Sequence, residues 1–145
     1  MGDPRRKKNL FKVPKKLWDR SRMEEESMLM REYGLRRKKE LWKANGLVSK
    51  YARRAKILAR SISGQAEKEK VSLVVKLQKL GLLGPEAKID DVLGLKLRDF
   101  LERRLQTIVC RKGLAKTITQ ARQFIVHRHI RIGDCVVISP SHIVG

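Results

Sequence analysis

The sequence predicts an α+β chain that is predominantly helical, with an N-terminal helical region followed by a two-helix and β-hairpin module. Three observations predict it. Apolar residues recur at helical spacing through most of the stretch between Leu17 and Ile125. Aromatic residues make up only 5% of the chain, so its cores must be small and aliphatic. The one β-rich stretch, Ile130 to Ile138, is interrupted by Gly133-Asp134, a two-residue turn pair. The expected divisions are a basic extended arm over 1–16, a helical domain with its linker over 17–96, and the C-terminal module over 97–145.

Charge narrows the class of partner. The chain holds 35 Lys plus Arg against 15 Asp plus Glu, a net charge of +20, well beyond what solubility requires. Residues 1–64 hold 20 basic and 7 acidic residues, 65–97 hold 6 and 5, and 98–145 hold 9 and 3. Two basic regions flank a nearly neutral middle, and a polyanionic partner explains them most economically. No apolar run approaches the ~20 residues of a membrane span, and no signal-peptide pattern follows the basic start, so a cytoplasmic location is expected. Cys110 and Cys135 lie without a paired C-x-x-C or a neighbouring zinc-spaced set. Both read first as small buried hydrophobes, with a disulfide or metal role as the alternative.

The arm carries Arg5, Arg6, Lys7, Lys8, Lys12, Lys15 and Lys16 with Pro4 and Pro14, a composition that cannot fold alone and usually orders only against nucleic acid, a solvated tail without function being the alternative. A first helix is expected over 17–33, closed at Gly34. A short second helix over 38–44 is expected to end at Asn45-Gly46, and a third to run over 47–62. In that third helix Val48, Tyr51, Ala52, Ala55, Leu58, Ala59 and Ile62 form one stripe, while Lys50, Arg53, Arg54, Lys56 and Arg60 form a cationic strip opposite. Such a strip also suits an anionic membrane, but the Ala-rich apolar side lacks the aromatic and Leu density of an interfacial helix. Residues 67–80 are expected to form the most buried helix. Gly81, Gly84 and Pro85 break it, and 88–94 reads as a linker.

In the C-terminal module a helix over 98–110 places Leu101, Leu105, Ile108 and Val109 inward and Glu102, Arg103, Gln106 and Thr107 outward. It stops at Gly113, where Arg111 and Lys112 either cap the helix end or face the partner. Thr117 with Gln120 marks the next helix start as a capping box. Ile118, Ala121, Phe124 and Ile125 then face inward, leaving Thr119, Gln120 and Gln123 outward and Lys116 and Arg122 at the margin, able to donate to phosphates or base edges. His127 and His129 flank Arg128 with no third ligand nearby, so no metal or other cofactor is expected. A short extended segment is possible after Pro140.

These residues carry a family resemblance. Leu101-Glu102-Arg103-Arg104-Leu105-Gln106-Thr107-Ile108-Val109, Arg111-Lys112-Gly113-Leu114-Ala115, Ala121-Arg122-Gln123, His127-Arg128-His129-Ile130 and Ser139-Pro140-Ser141 resemble the RNA-binding domain of the small-subunit ribosomal protein S-four family. Gly2-Asp3-Pro4-Arg5-Arg6 and Glu32-Tyr33-Gly34-Leu35-Arg36 through Lys39-Glu40-Leu41-Trp42 resemble its archaeal and eukaryotic branch. The resemblance implies direct, early binding of small-subunit ribosomal RNA at a multi-helix junction, nucleating the subunit body. It further implies a place where the messenger enters, beside ribosomal proteins S-five and S-three, with a part in translational accuracy. The implied RNA contacts are Arg103, Arg104, Arg111, Lys112, Lys116, Thr117, Gln120, Arg122, Gln123, His127, Arg128, His129 and Arg131, beside the arm and the strip above. Many members have glycine where this chain has Arg128, so the turn there need not adopt the glycine conformation, although arginine fits the archaeal and eukaryotic branch. Bacterial relatives can carry an N-terminal zinc cluster that this sequence cannot build, and the family usually continues past the position of Gly145.

The module also occurs on pseudouridine synthases and tyrosyl-tRNA synthetase. Residues 1–96 offer no phosphate loop, activated nucleophile or buried acidic pair, so no enzyme is expected. A free rescue factor would not share the N-terminal helical region, and a DNA-reading helix-turn-helix would not need the hairpin. Nothing in the sequence suggests a homo-oligomer.

Overall fold

The computed structural model describes residue 11 and residues 13–145, and within them the chain is mostly helical with one small antiparallel hairpin. Arg5, Arg6, Lys7, Lys8 and Lys12 of the basic arm lie outside the described residues. Helix α1 spans Arg20–Glu32, starting three residues later than expected because Leu17 and Trp18 stay exposed in a turn and contribute no packed face. It ends as predicted at Gly34, whose φ of +57° lets the Leu35 N–H reach back to the Met30 carbonyl at 2.9 Å.

Helix α2 is continuous over Lys38–Arg60, where two helices separated at Asn45-Gly46 were expected. A glycine inside a helix costs about 1 kcal/mol. Here that cost is outweighed by packing on both sides of it: Leu41 is buried against Tyr33, Leu35 and Leu101, while Ala55 and Leu58 are buried against Leu73, Leu77 and Val92. Its 23 residues form the beam on which the other elements sit. Helix α3, Gly64–Lys79, starts on Ser63, whose hydroxyl accepts from the Ala66 N–H at 3.2 Å. It is not the most buried element. Ala66, Leu73 and Leu77 are inside, but Val71 is 64% exposed, because α3 packs one stripe on α2 and leaves the rest to solvent. The segment read as a linker contains a short helix, α4 (Asp91–Gly94), which buries Val92 in the same core.

The expected helix over 98–110 is two helices, α5 (Leu97–Glu102) and α6 (Leu105–Arg111). The break at Arg103-Arg104 is stabilised by the chain's end, which returns beside it. Leu105 N–H donates to the His142 carbonyl at 2.7 Å, Val144 N–H donates to the Arg103 carbonyl at 3.0 Å, and Arg104 pairs with Ile143 in an antiparallel bridge. This returning stretch is the extended segment expected after Pro140, and it satisfies a free helix start that would otherwise be costly. The break also turns α6, so that Gln106 and Thr107, read as outward, are buried with Leu105 and Val109. Gln106 Nε2 donates to the carbonyls of Gly34 at 3.2 Å and Ile118 at 3.0 Å.

Helix α7, Ile118–Val126, packs Ala121 and Ile125 on Leu105, Val109 and Ala115. Strands β1 (Arg131–Ile132) and β2 (Cys135–Val136) form the hairpin, with Ile132 opposite Cys135 across Gly133-Asp134. Cys110 packs half-buried on this core as read, but Cys135 is exposed, because both β2 residues face solvent. Both thiols are free.

Candidate nucleic-acid interface

Helix ends, rather than helix middles, present most of the C-terminal candidates. Gly113 (φ +73°) closes α6 with Leu114 N–H on the Val109 carbonyl at 3.2 Å, leaving Arg111 and Lys112 exposed at the helix end. Arg111 also pairs with Glu102. The next four residues turn the chain into α7. Thr117 Oγ1 accepts from Gln120 N–H at 3.1 Å, while Gln120 Oε1 accepts from Lys116 N–H at 2.8 Å, one residue earlier than in the expected reciprocal box. Lys116 and Thr117 are therefore exposed on a fixed backbone, and Gln123 is exposed further along α7.

At the other end of α7 the closure repeats without glycine. His129 N–H donates to the Phe124 carbonyl at 3.0 Å, the same reach-back made after Gly34 and Gly113, and Arg128 takes φ +66°. Arginine need not take the glycine conformation, but here it does: the hydrogen-bond pattern at the helix end demands a left-handed residue, and Arg128 supplies it. It is the only non-glycine residue with positive φ among the described residues. Arg128 is exposed between His127 and His129, whose rings lie 6.4 Å apart at 21°, and His129 is held edge-on by Phe124 at 6.0 Å. Arg131 is exposed on β1.

Three of the arginines implied as contacts are committed to the fold. Arg104, only 5% exposed at its side chain, donates to Glu40 Oε2 at 2.8 Å. Arg122, about one quarter exposed, donates to Glu40 Oε1 at 2.9 Å. For Arg104 the implied RNA contact is replaced by an internal one, because the α5–α6 break points its side chain at α2. Burial tends to raise the Glu40 carboxyl, but the hydrogen bonds and charges of Arg122 and Arg104 outweigh it and hold the group below its ordinary value. Arg103 donates through Nε to the Leu80 carbonyl at 3.2 Å and lies over Gly81, where any Cβ would collide with its guanidinium. Nearby, Tyr33 donates to Glu102 at 2.7 Å, and burial followed by that carboxylate pushes the phenol far above its usual range, so it remains a donor.

The second cationic surface lies on α2. Lys50, Arg53, Arg54, Lys56 and Arg60 are all exposed, and Lys15 and Lys16 are exposed ahead of α1. Sequence reasoning missed what α3 adds: Lys76 and Ser72 join Lys50, Tyr51 and Arg54 around a 160 Å³ pocket between the two helices. The charge balance of residues 65–97 concealed this, since a near-neutral helix can still turn its lysines to one neighbour. Among the described residues no group of three His, Cys, Asp or Glu could hold a metal ion, and no helix is long and apolar enough to cross a membrane.

The family model of the S4 domain matches residues 103–145, beginning at the α5–α6 break. Beyond that domain the likeness extends over almost the whole chain. The chain is 46% identical over 144 residues to the small ribosomal subunit protein uS4 of Ignicoccus hospitalis, covering 99% of this chain and 87% of that protein. It is 47% identical to the uS4 protein of Nanoarchaeum equitans (96% and 78% covered) and 44% identical to that of Methanoregula boonei (99% and 80% covered). With identity at this level spanning the helical region and the S4 domain together, the chain belongs to the small ribosomal subunit protein uS4 family.

Proposed function

We propose that this chain is a structural, non-enzymatic constituent of the small ribosomal subunit that binds small-subunit ribosomal RNA directly. The observation that carries the reading is the pairing of two exposed cationic surfaces in one chain of net charge +20. One is formed by the helix ends and hairpin of the S4 domain, and the other by α2 with α3. The proposed contacts are Arg111, Lys112, Lys116, Thr117, Gln120, Gln123, His127, Arg128, His129 and Arg131 on the first. On the second they are Lys50, Arg53, Arg54, Lys56 and Arg60 with Lys76, and the basic arm adds a third set. Arg103, Arg104 and Arg122 position these surfaces. Two surfaces in one chain, one on α2 and one on the S4 domain, suit a protein that fixes RNA helices relative to one another, which supports early binding at a multi-helix junction and nucleation of the subunit body. A place where the messenger enters, beside proteins S-five and S-three, and a contribution to translational accuracy follow the resemblance.

The test is binding to a small-subunit RNA transcript across salt. If about six phosphates are neutralised, affinity should fall by roughly 10³ between 50 and 200 mM salt. A salt-independent affinity, or sedimentation of the cellular protein outside the small subunit at low salt, would refute the reading.

A further inference from the structure

A cleft of 340 Å³ lies where α2 meets the S4 domain. Leu47, Phe100, Pro140 and Ile143 form its apolar walls, and Glu40, Lys43 and Arg122 supply polar groups. We propose that this cleft receives one unstacked base of the bound RNA. The inference rests on the ribosomal-RNA reading above and names a site that the charged surfaces alone do not predict.

Size and chemistry both fit. The volume is at the low end of the roughly 300–1,000 Å³ of small-ligand pockets, suited to one planar heterocycle with its sugar and too small for a folded segment. Apolar walls beside a few fixed polar groups are what single-stranded RNA recognition uses, because a splayed base offers flat faces and a hydrogen-bonding edge. Glu40 supplies the acceptor. Its Oε1 accepts only from Arg122 among the described residues, which leaves a lone pair for the amino or imino N–H of a base. Lys43 is exposed and can meet the phosphate of the inserted nucleotide. Position selects RNA over a protein side chain as the occupant: Arg122, which lines the cleft, is next in α7 to Gln123, an exposed member of the proposed RNA surface.

The experiment uses the full chain and a small-subunit RNA transcript. Ala44, which also lines the cleft, is replaced by Trp to fill it, with Lys43→Ala as the comparison. Ala44→Trp should weaken binding on the order of 10-fold, the loss of one stacked base, while the dependence of log K on log salt falls by no more than the one phosphate contact of Lys43. Lys43→Ala should flatten that dependence by about 0.9, one phosphate contact. Ultraviolet crosslinking of the wild-type complex should place a nucleotide adduct on peptides containing Leu47 or Phe100. Thermal melting checks that Ala44→Trp folds; should it not, Leu47→Phe takes its place, and if neither folds the crosslink decides. Wild-type affinity in the filled variant together with no adduct at the cleft overturns the inference. So does normal RNA binding with failure to join the subunit, which would mark a protein side chain as the occupant. Failure of the wild-type chain to bind RNA at all would instead strike the reading on which this one rests.

Discussion

The junction between α2 and the S4 domain and the outer face of α2 use the same residue types to opposite ends. At the junction, Glu40 is 21% exposed and holds Arg104, 5% exposed, and Arg122. On the outer face Arg54 is 56% exposed and meets Glu69 only at 3.4 Å. An ion pair removed from water holds its geometry and is costly to break, whereas an exposed pair is worth about 0–1 kcal/mol and leaves its cation free to exchange partners. The difference separates cations that build the protein from cations that can meet RNA, a distinction that counting charge does not make.

Breaking the junction should give the largest effect. Glu40→Ala leaves Arg104 buried without its counter-charge and should cost about 3 kcal/mol or more of unfolding free energy in urea at pH 7. Glu69→Ala should stay within about 0.5 kcal/mol. The two results would be indistinguishable if the junction pair were as weakly coupled as the surface one. Acid provides a second reading. Because the folded-state pKa of Glu40 lies below the ordinary 4.5, its stabilisation is complete above that value and is lost as pH falls through the folded-state pKa. The stability gap between wild type and Glu40→Gln should therefore be widest near neutrality, begin to narrow as pH falls below the ordinary 4.5, and close only below the folded-state pKa.

Much of the fold was legible because it is written in local chemistry. Gly34, Gly81 and Gly113 mark helix ends, each with positive φ; Thr117 starts α7; Gly133-Asp134 turns the hairpin. What escaped depends on partners distant in sequence. The α5–α6 break lies in an unbroken amphipathic pattern and is stabilised by the His142 carbonyl some 37 positions away. Gln106 reads as an outward polar residue until the carbonyls of Gly34 and Ile118 are brought to it. Asn45-Gly46 carries a local stop signal that burial on both sides of it overrides. The same cause limits the site: Arg111, Arg128 and Arg104 look alike in sequence, and only tertiary placement exposes the first two and buries the third.

The outer face should show the reverse of the junction, with function altered and stability kept. Replacing Lys50, Arg53, Arg54 and Lys56 together by Ala should reduce the salt slope of RNA binding by about 0.9 for every phosphate they neutralise. The unfolding midpoint should move little, since each side chain is exposed. Lys76→Ala sharpens the point. If Arg54 and Lys76 hold one phosphate in the pocket between α2 and α3, the double variant should lose less affinity than the sum of the singles, a coupling that additive losses would disprove.

The smallest effect is expected at Arg128, and it is the most diagnostic in sign. A non-glycine residue in the left-handed region costs about 1–2 kcal/mol, and glycine there costs about 0.5–1 kcal/mol in unfolded-chain entropy. Arg128→Gly should therefore stabilise the S4 domain by about 0.5 kcal/mol, the difference between those costs. It should at the same time weaken RNA binding and lower the salt slope by about one phosphate contact. Stability and affinity moving in opposite directions would show that Arg128 keeps a strained backbone for the sake of the guanidinium it presents between His127 and His129. A loss of both would instead place it with Arg104, as a cation that the fold itself requires.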